Sequence, residues 1–238
     1  MHDLPTLNNK LDALQPKEII KSIYMDFDNL TLSFSGAEDV VLIDMACKQG
    51  LKPNVFTLDT GRLHPQTYQF LQAVMEHYSI NIQILTPEST ALKRLTDKKG
   101  LFSFYQDGHQ ECCGLRKVEP LKNHLSNFSG WITGQRKDQS LTTRGALSIV
   151  EVDATFIGIE SNLLKFNPLC NWTSEQVWLY IRSLEVPYNS LHDKGYTSIG
   201  CEPCTRAILP HQDPREGRWW WEESDKKECG LHSKKSSS

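Results

Sequence analysis

The chain has no long hydrophobic run. None of its apolar stretches approaches the ~20 residues needed to cross a bilayer, and its opening, Met1-His2-Asp3-Leu4-Pro5, lacks the basic and apolar segments of a secretory leader. A cytoplasmic protein without a membrane partner is therefore expected. In that reducing setting the seven cysteines are not expected to form a disulfide framework. Excess charge is missing as well: 26 Lys and Arg stand against 29 Asp and Glu, a formal net charge of -3, which speaks against a general nucleic-acid binder. There is no internal repeat and no clear linker in the 238 residues, a length that can bury a substantial core. The expected organisation is one domain over 1–238, with N-terminal helices in 1–28 and a C-terminal arm in 219–238.

What charge there is lies in local groups. Basic residues gather at Arg116-Lys117, Arg136-Lys137, Arg144 and from Arg206 to Arg218, a pattern suited to a small anionic ligand. Residues 5–28 read as two helices split at Pro16, which sits harmlessly in the first turn of the second. Leu30 to Phe34 is a short strand running into Ser35-Gly36-Ala37-Glu38-Asp39 and the apolar stretch Val40 to Ala46. Strand, glycine turn and helix can cradle a phosphate, although with one glycine the same pattern fits an ordinary turn.

A second unit repeats the alternation. Asn54 to Leu58 is a strand, Asp59-Thr60-Gly61-Arg62 a polar turn and Pro65 to Tyr78 a helix, followed by a strand from Ile80 to Leu85 and a helix from Ser89 to Lys98. Such spacing implies an α/β fold with a parallel sheet, its ligands at the carboxyl ends of the strands. The same edge receives Gly134-Gln135-Arg136-Lys137 after a strand at Trp131 to Thr133. A helix opens near Glu111-Cys112-Cys113-Gly114 and runs through Leu125, and strands are expected at Ala146 to Ala154 and Leu163 to Phe166. Thr173 with Gln176 forms a capping box that opens a helix ending before Pro187. Residues 187–218 read as a long loop, and loops of that length are usually functional.

Of the seven cysteines, Cys47 and Cys170 read as core residues. The pairs Cys112-Cys113 and Cys201-Glu202-Pro203-Cys204 have the look of ligands. Neighbouring helical residues diverge by about 100°, so an adjacent pair chelates one small ion poorly. A [4Fe-4S] cluster therefore suits the four thiols better than zinc, which stays as the alternative. Cys229, flanked by Lys226, Lys227 and His232, is either a reactive thiol on a movable arm or an exposed terminal cysteine.

Together, Ser-Phe-Ser-Gly-Ala-Glu-Asp, Leu-Asp-Thr-Gly-Arg, Cys-Cys-Gly-Leu-Arg-Lys, Gly-Gln-Arg-Lys-Asp-Gln-Ser, Ile-Gly-Cys-Glu-Pro-Cys-Thr-Arg, Arg-Glu-Gly-Arg-Trp-Trp-Trp and Glu-Cys-Gly-Leu-His resemble the thioredoxin-dependent assimilatory sulfonucleotide reductases, in particular the iron-sulfur type that reduces adenylyl sulfate (APS). The resemblance implies a PP-loop, Rossmann-like fold of the adenine-nucleotide α-hydrolase kind, with a C-terminal loop region and a mobile tail. It implies one [4Fe-4S] cluster on Cys112, Cys113, Cys201 and Cys204, and Cys229 as nucleophile. His232 stands either as its stabiliser or as a bystander. The implied substrate site is Ser33, Ser35, Gly36, Leu58, Asp59, Thr60, Gly61, Arg62, Lys117, Gly134, Arg136, Arg144, Arg215 and Arg218. The activity implied is reduction of APS to sulfite and AMP in sulfate assimilation and cysteine biosynthesis, with thioredoxin as reductant and with homo-oligomerisation left open. The 3′-phosphorylated substrate (PAPS), or both substrates, is the alternative, and a cluster-bearing ATP-dependent PP-loop enzyme a more distant one. Against the ATP pyrophosphatase loop Ser-Gly-Gly-x-Asp-Ser, Ala37 replaces the second glycine and Val40 the last serine, which argues for an anion other than pyrophosphate. Trp219-Trp220-Trp221 reads as packing, with a docking surface as its alternative.

Overall fold

The computed structural model describes residues 3–140, 144–159 and 162–223. Two helices, α1 (Leu4–Asp12) and α2 (Pro16–Asp26), precede β1 (Leu30–Ser33), and α3 (Ala37–Cys47) follows it. Then come β2 (Val55–Leu58), α4 (Pro65–Tyr78), β3 (Ile82–Leu85) and α5 (Ser89–Lys99). Short helices α6 (Phe104–Asp107) and α7 (Gln110–Cys113) lead through a π-turn, Gly114–Val118, into α8 (Glu119–Leu125). The remainder comprises β4 (Gly130–Ile132), β5 (Val150–Val152), β6 (Leu164–Phe166) and α9 (Ser174–Ser183).

The strands form one sheet in the order β3-β2-β1-β4-β6-β5, parallel throughout except for the antiparallel β5–β6 edge. Strand period dictates how its two faces are covered. Leu30, Leu32, Val55, Ile132 and Phe166 pack on α2, α3, α4 and α9. Their neighbours Phe56 and Trp131 point the other way, towards Leu121 and Leu125 of α8. Helix α3 is the pivot of the first face: Val40, Val41, Leu42 and Ile43 are all fully buried, as expected of a helix that is apolar all round. At its far end Asp44, also buried, accepts hydrogen bonds from Tyr78 (2.9 Å) and Tyr180 (2.7 Å), tying α4 and α9 to α3.

Most expected elements lie within two residues of where the sequence puts them, and the Thr173 cap is formed, its hydroxyl accepting from Gln176 N at 3.2 Å. Two expectations need correction. The strand over 146–154 shrinks to Val150–Val152 because residues 144–147 close a turn, Leu147 N donating to Arg144 O at 2.9 Å. The helix expected to begin at the Cys112-Cys113 pair is instead interrupted straight after it by the π-turn.

The chain winds outward from β1 in one direction to β3, then returns to add β4 on the other side. A sheet of this kind leaves a crevice beyond the carboxyl ends of the two strands flanking the reversal, here β1 and β4. No helix among the described residues is long and apolar enough to cross a membrane.

Candidate active site

The crevice is a cleft of about 600 Å³, within the size range of a small-molecule site. Its floor is built by two loops held against each other. Asp39, in the first turn of α3, accepts from Ser35 N and Ser35 Oγ (both 2.8 Å), from Gly36 N (3.2 Å) and, across the gap, from Gly134 N (2.9 Å). Burial pushes its carboxyl up to about 6, against the lowering effect of those hydrogen bonds. The loops can approach this closely only because residue 134 is glycine: a Cβ there would stand 2.5 Å from Glu38 Cβ and 2.6 Å from Asp39 Oδ1. The phosphate-cradle reading of the β1 turn changes accordingly. The N–H groups of Ser35 and Gly36 are taken by Asp39, so cations across the cleft must carry most of the neutralisation of an anion. Val40 is fully buried in the core and does not face a ligand as the missing serine would, whereas Ala37 belongs to the cleft lining.

Of the expected substrate residues, Ser33, Ser35, Gly36, Leu58, Thr60, Lys117, Gly134, Arg136, Arg144, Arg215 and Arg218 line this one cleft. Their cations are not equivalent. Arg136 is buried and held by Glu38 (2.9 Å) and Asp138 (3.0 Å), so it serves mainly to brace the two loops. Arg144 is hydrogen-bonded to Gln139. Arg218, buried with its guanidinium 4.5 Å over the Trp219 ring, reaches Ser198 Oγ at 3.3 Å. Gly200 makes room for it, since a Cβ there would meet an Arg218 nitrogen at 2.4 Å.

Asp59, Gly61 and Arg62, the other three expected substrate residues, are not among those lining this cleft. The Asp59 carboxylate turns outward to accept from Gly61 N (2.7 Å) and Tyr68 OH (2.8 Å). Gly61 adopts a left-handed conformation (φ 68°) that swings the chain away, and Arg62 follows it to the cysteines. Its backbone O accepts from Glu202 N at 2.8 Å and its guanidinium lies 5.1 Å from the Phe104 ring.

The four paired cysteines come together from two distant parts of the sequence. Cys113, Cys201 and Cys204 are buried and Cys112 half-buried in a small cluster with Phe104 and Trp219. A narrow gap between the four thiols is walled by Arg62, Arg116 and Lys117. Among the described residues no three His, Cys, Asp or Glu side chains converge on a single-ion site. Cys201 is held well below the ordinary thiol value by a hydrogen bond from Cys204, assisted by Lys117, Thr60 and Arg218, and the same bond pushes Cys204 up. Burial raises Cys112, with Arg116 and Arg62 opposing it.

Cleft and cysteine site share a wall. Lys117 lines both. Thr60, on the cleft side, has its hydroxyl 3.1 Å from Cys201 Sγ, and its carbonyl accepts from the Arg116 guanidinium. The π-turn supplies Arg116 and Lys117 from a single wide turn beside the Cys112-Cys113 pair, and such turns recur at functional sites.

The sequence reading missed Asp39, Arg116 and a buried pair. His109 stacks on Trp219 (ring centroids 4.1 Å apart) and pairs with Glu222 through both its backbone N (2.8 Å) and ring Nδ1 (2.7 Å). That pair anchors the chain just before residue 224. Trp219 is fully buried, as the packing reading expects. Cys229 and His232 lie outside the described residues.

The fold and site define the chain as an adenine-nucleotide α-hydrolase-like α/β protein of the PP-loop kind. A crystal structure of phosphoadenylyl-sulfate (PAPS) reductase from Candida auris, in a phosphate complex, superposes with a TM-score of 0.72 at 30% identity, covering 87% of this chain and 98% of that one. Yeast FAD synthetase shares the fold alone, at a TM-score of 0.56 and 15% identity over 89% of this chain and 70% of that one. The family model of the phosphoadenosine phosphosulfate reductase domain matches residues 29–207, and the chain belongs to that family. An adenosine 5′-phosphosulfate reductase of Pseudomonas aeruginosa is 58% identical over 97% of this chain and 87% of its own length. The chloroplastic 5′-adenylylsulfate reductase 1 of Arabidopsis thaliana is 50% identical over 98% of this chain and 51% of its own length.

Proposed function

We propose that this chain reduces APS to sulfite and AMP with electrons from reduced thioredoxin, through an S-sulfonate on Cys229. The observation that carries the reading is the shared wall: a nucleotide-sized cleft with Lys117, Arg144, Arg215 and Arg218 about its rim adjoins four cysteines through Lys117 and Thr60. The choice of APS over PAPS rests on the two relatives of 58% and 50% identity, which are named for APS.

In this reading Cys112, Cys113, Cys201 and Cys204 hold one [4Fe-4S] cluster. Their surroundings fit such a group. Arg116 Nε and Arg62 Nη1, on two residues that wall the thiol-lined gap, are buried donors with no acceptor among the described residues, and cluster sulfides are acceptors for donors of this kind. When bound, the group supplies fixed charge beside Lys117, since the electrons come from thiols.

The chain's own residues do the rest. The Asp39-braced loops and Thr60 seat the nucleotide, and the Arg and Lys groups neutralise the phosphosulfate oxygens so that an anionic thiolate can approach sulfur. The Cys229 thiolate attacks that sulfur, the S–O bond to the phosphate breaks, and AMP leaves carrying the bonding pair. A thioredoxin thiolate then attacks the Cys229 sulfur, expelling sulfite. The second thioredoxin thiol resolves the mixed disulfide, and Cys229 returns to thiolate.

Two outcomes are expected. With reduced thioredoxin, APS should yield sulfite and AMP in equal amounts at a kcat/KM at least tenfold above that for PAPS; equal or faster turnover of PAPS would overturn the substrate assignment. Asp39→Ala should weaken AMP binding tenfold or more in a calorimetric titration, because its four donors lose their shared acceptor and the two loops come apart. It should also lower thermal stability by several degrees.

A further inference from the structure

We infer that Leu101, Phe102, Tyr105 and Trp220 form the surface on which the thiol-bearing reductant docks, a small protein whose attacking cysteine is ringed by apolar side chains. The inference rests on the covalent reading of Cys229 above and adds where its second reaction takes place.

These four side chains are 60%, 57%, 40% and 44% exposed, and the rings of the last three form a continuous strip: Phe102 stacks on Tyr105 at 6.2 Å and Tyr105 meets Trp220 at 6.3 Å. The strip is rigidly mounted. Tyr105 packs 4.5 Å from Trp221 and donates its hydroxyl to Pro203 O (2.8 Å), inside the turn that carries Cys201 and Cys204. Guanidinium groups stand at both ends, Arg62 at 5.5 Å from the Phe102 ring and Arg206 at 5.4 Å from that of Trp220. Exposed aromatics fringed by Arg are the composition of interface hot spots.

Chain length bounds where the reductant can come. Cys229 follows Trp220 by nine residues, which span about 30 Å at full extension. A cleft of about 600 Å³ admits a nucleotide and no protein, so a protein thiol must meet the Cys229 sulfur outside it, within that radius of Trp220. The strip lies at the centre of the circle. The arm is a poor cover for it: from Glu222 to Ser238 the sequence offers Leu231 as its one large apolar side chain, against three exposed rings. An apolar-rimmed partner suits the rings, and acidic residues at its margin would meet Arg206.

The test compares wild type with the double variant Phe102→Ser/Trp220→Ser, each first incubated with APS alone, then treated with reduced thioredoxin or with dithiothreitol. The variant should form the S-sulfonate to the same extent as wild type and release sulfite to dithiothreitol within twofold of the wild-type rate, while its KM for thioredoxin rises tenfold or more. An unchanged thioredoxin KM would overturn the docking site. Equal slowing with both reductants would also overturn it, by showing that the strip supports the site itself. So would a wild-type dimer, seen by light scattering and lost in the variant with the thioredoxin KM unmoved, because a second copy would then be the occupant. Failure of the underlying covalent reading shows separately, as no adduct on wild-type Cys229, and would take the docking site with it.

Discussion

Cys229→Ser should lower sulfite release at least a thousandfold at saturating APS and thioredoxin while leaving AMP binding within twofold of wild type. A serine hydroxyl is almost wholly protonated at neutral pH and has no base within its own sequence neighbourhood strong enough to ionise it, whereas positive neighbours such as Lys226 and Lys227 favour the nucleophilic thiolate of a cysteine. The binding groups of the cleft, including Lys117 and Arg218, are untouched by the change. Loss of turnover with retained binding therefore separates a nucleophile from a residue that merely helps to hold substrate. Steady-state sulfite release together with AMP titration reads both quantities. A variant that keeps a tenth of wild-type turnover would remove Cys229 from the chemistry.

The second large effect concerns the paired cysteines. Cys204→Ser should purify colourless, with its iron content reduced from about four atoms per chain to near none, and should unfold about 10 °C below wild type. Cys204 is buried, and Trp219 N and Cys204 O are joined at 3.0 Å, so the C-terminal segment packs directly on the cysteine turn. In the cluster reading, loss of the cluster takes away the acceptor of Arg116 Nε and Arg62 Nη1, both buried and otherwise unsatisfied among the described residues, each at a cost of about 1–3 kcal/mol. Turnover should fall with the iron, because Lys117 and Thr60 belong to the same wall. Iron analysis, visible absorbance and a melting curve on the one preparation decide the matter. A wild-type protein that is colourless and binds zinc would contradict the cluster.

The fold was legible where local chemistry dictates it. Pro65 to Tyr78 is bounded by a proline in its first turn and by Ser79 in the left-handed conformation, and Thr173 with Gln176 caps α9. The alternation of strand and helix likewise fixed a mostly parallel sheet and brought the three polar turns to one edge. Hidden from the sequence were features made by distant partners or by a single inserted residue. The π-turn at Gly114–Val118 spans five residues, too few to disturb a helical periodicity that resumes in α8. His109 and Glu222 are 113 positions apart, and nothing local marks them as a pair. Arg62 follows Leu-Asp-Thr-Gly in the motif, so it reads as part of the nucleotide site. A positive φ at Gly61 sends it to the cysteines instead. Asp39 was passed over for the glycine beside it, although an acid in the first turn of a helix after Ser-Gly is a legible sign of a carboxylate that gathers backbone donors.

In the proposed reaction one sulfur, that of Cys229, carries the sulfonate between the cleft and the reductant. The most direct test is the mass of the protein after incubation with APS in the absence of any thiol, followed by peptide mapping. One sulfonate per chain is expected, located on Cys229, with one AMP released per adduct and the adduct cleared when reduced thioredoxin is added. A protein that turns over APS yet carries no adduct, or carries it on Cys112, Cys113, Cys201 or Cys204, would contradict it.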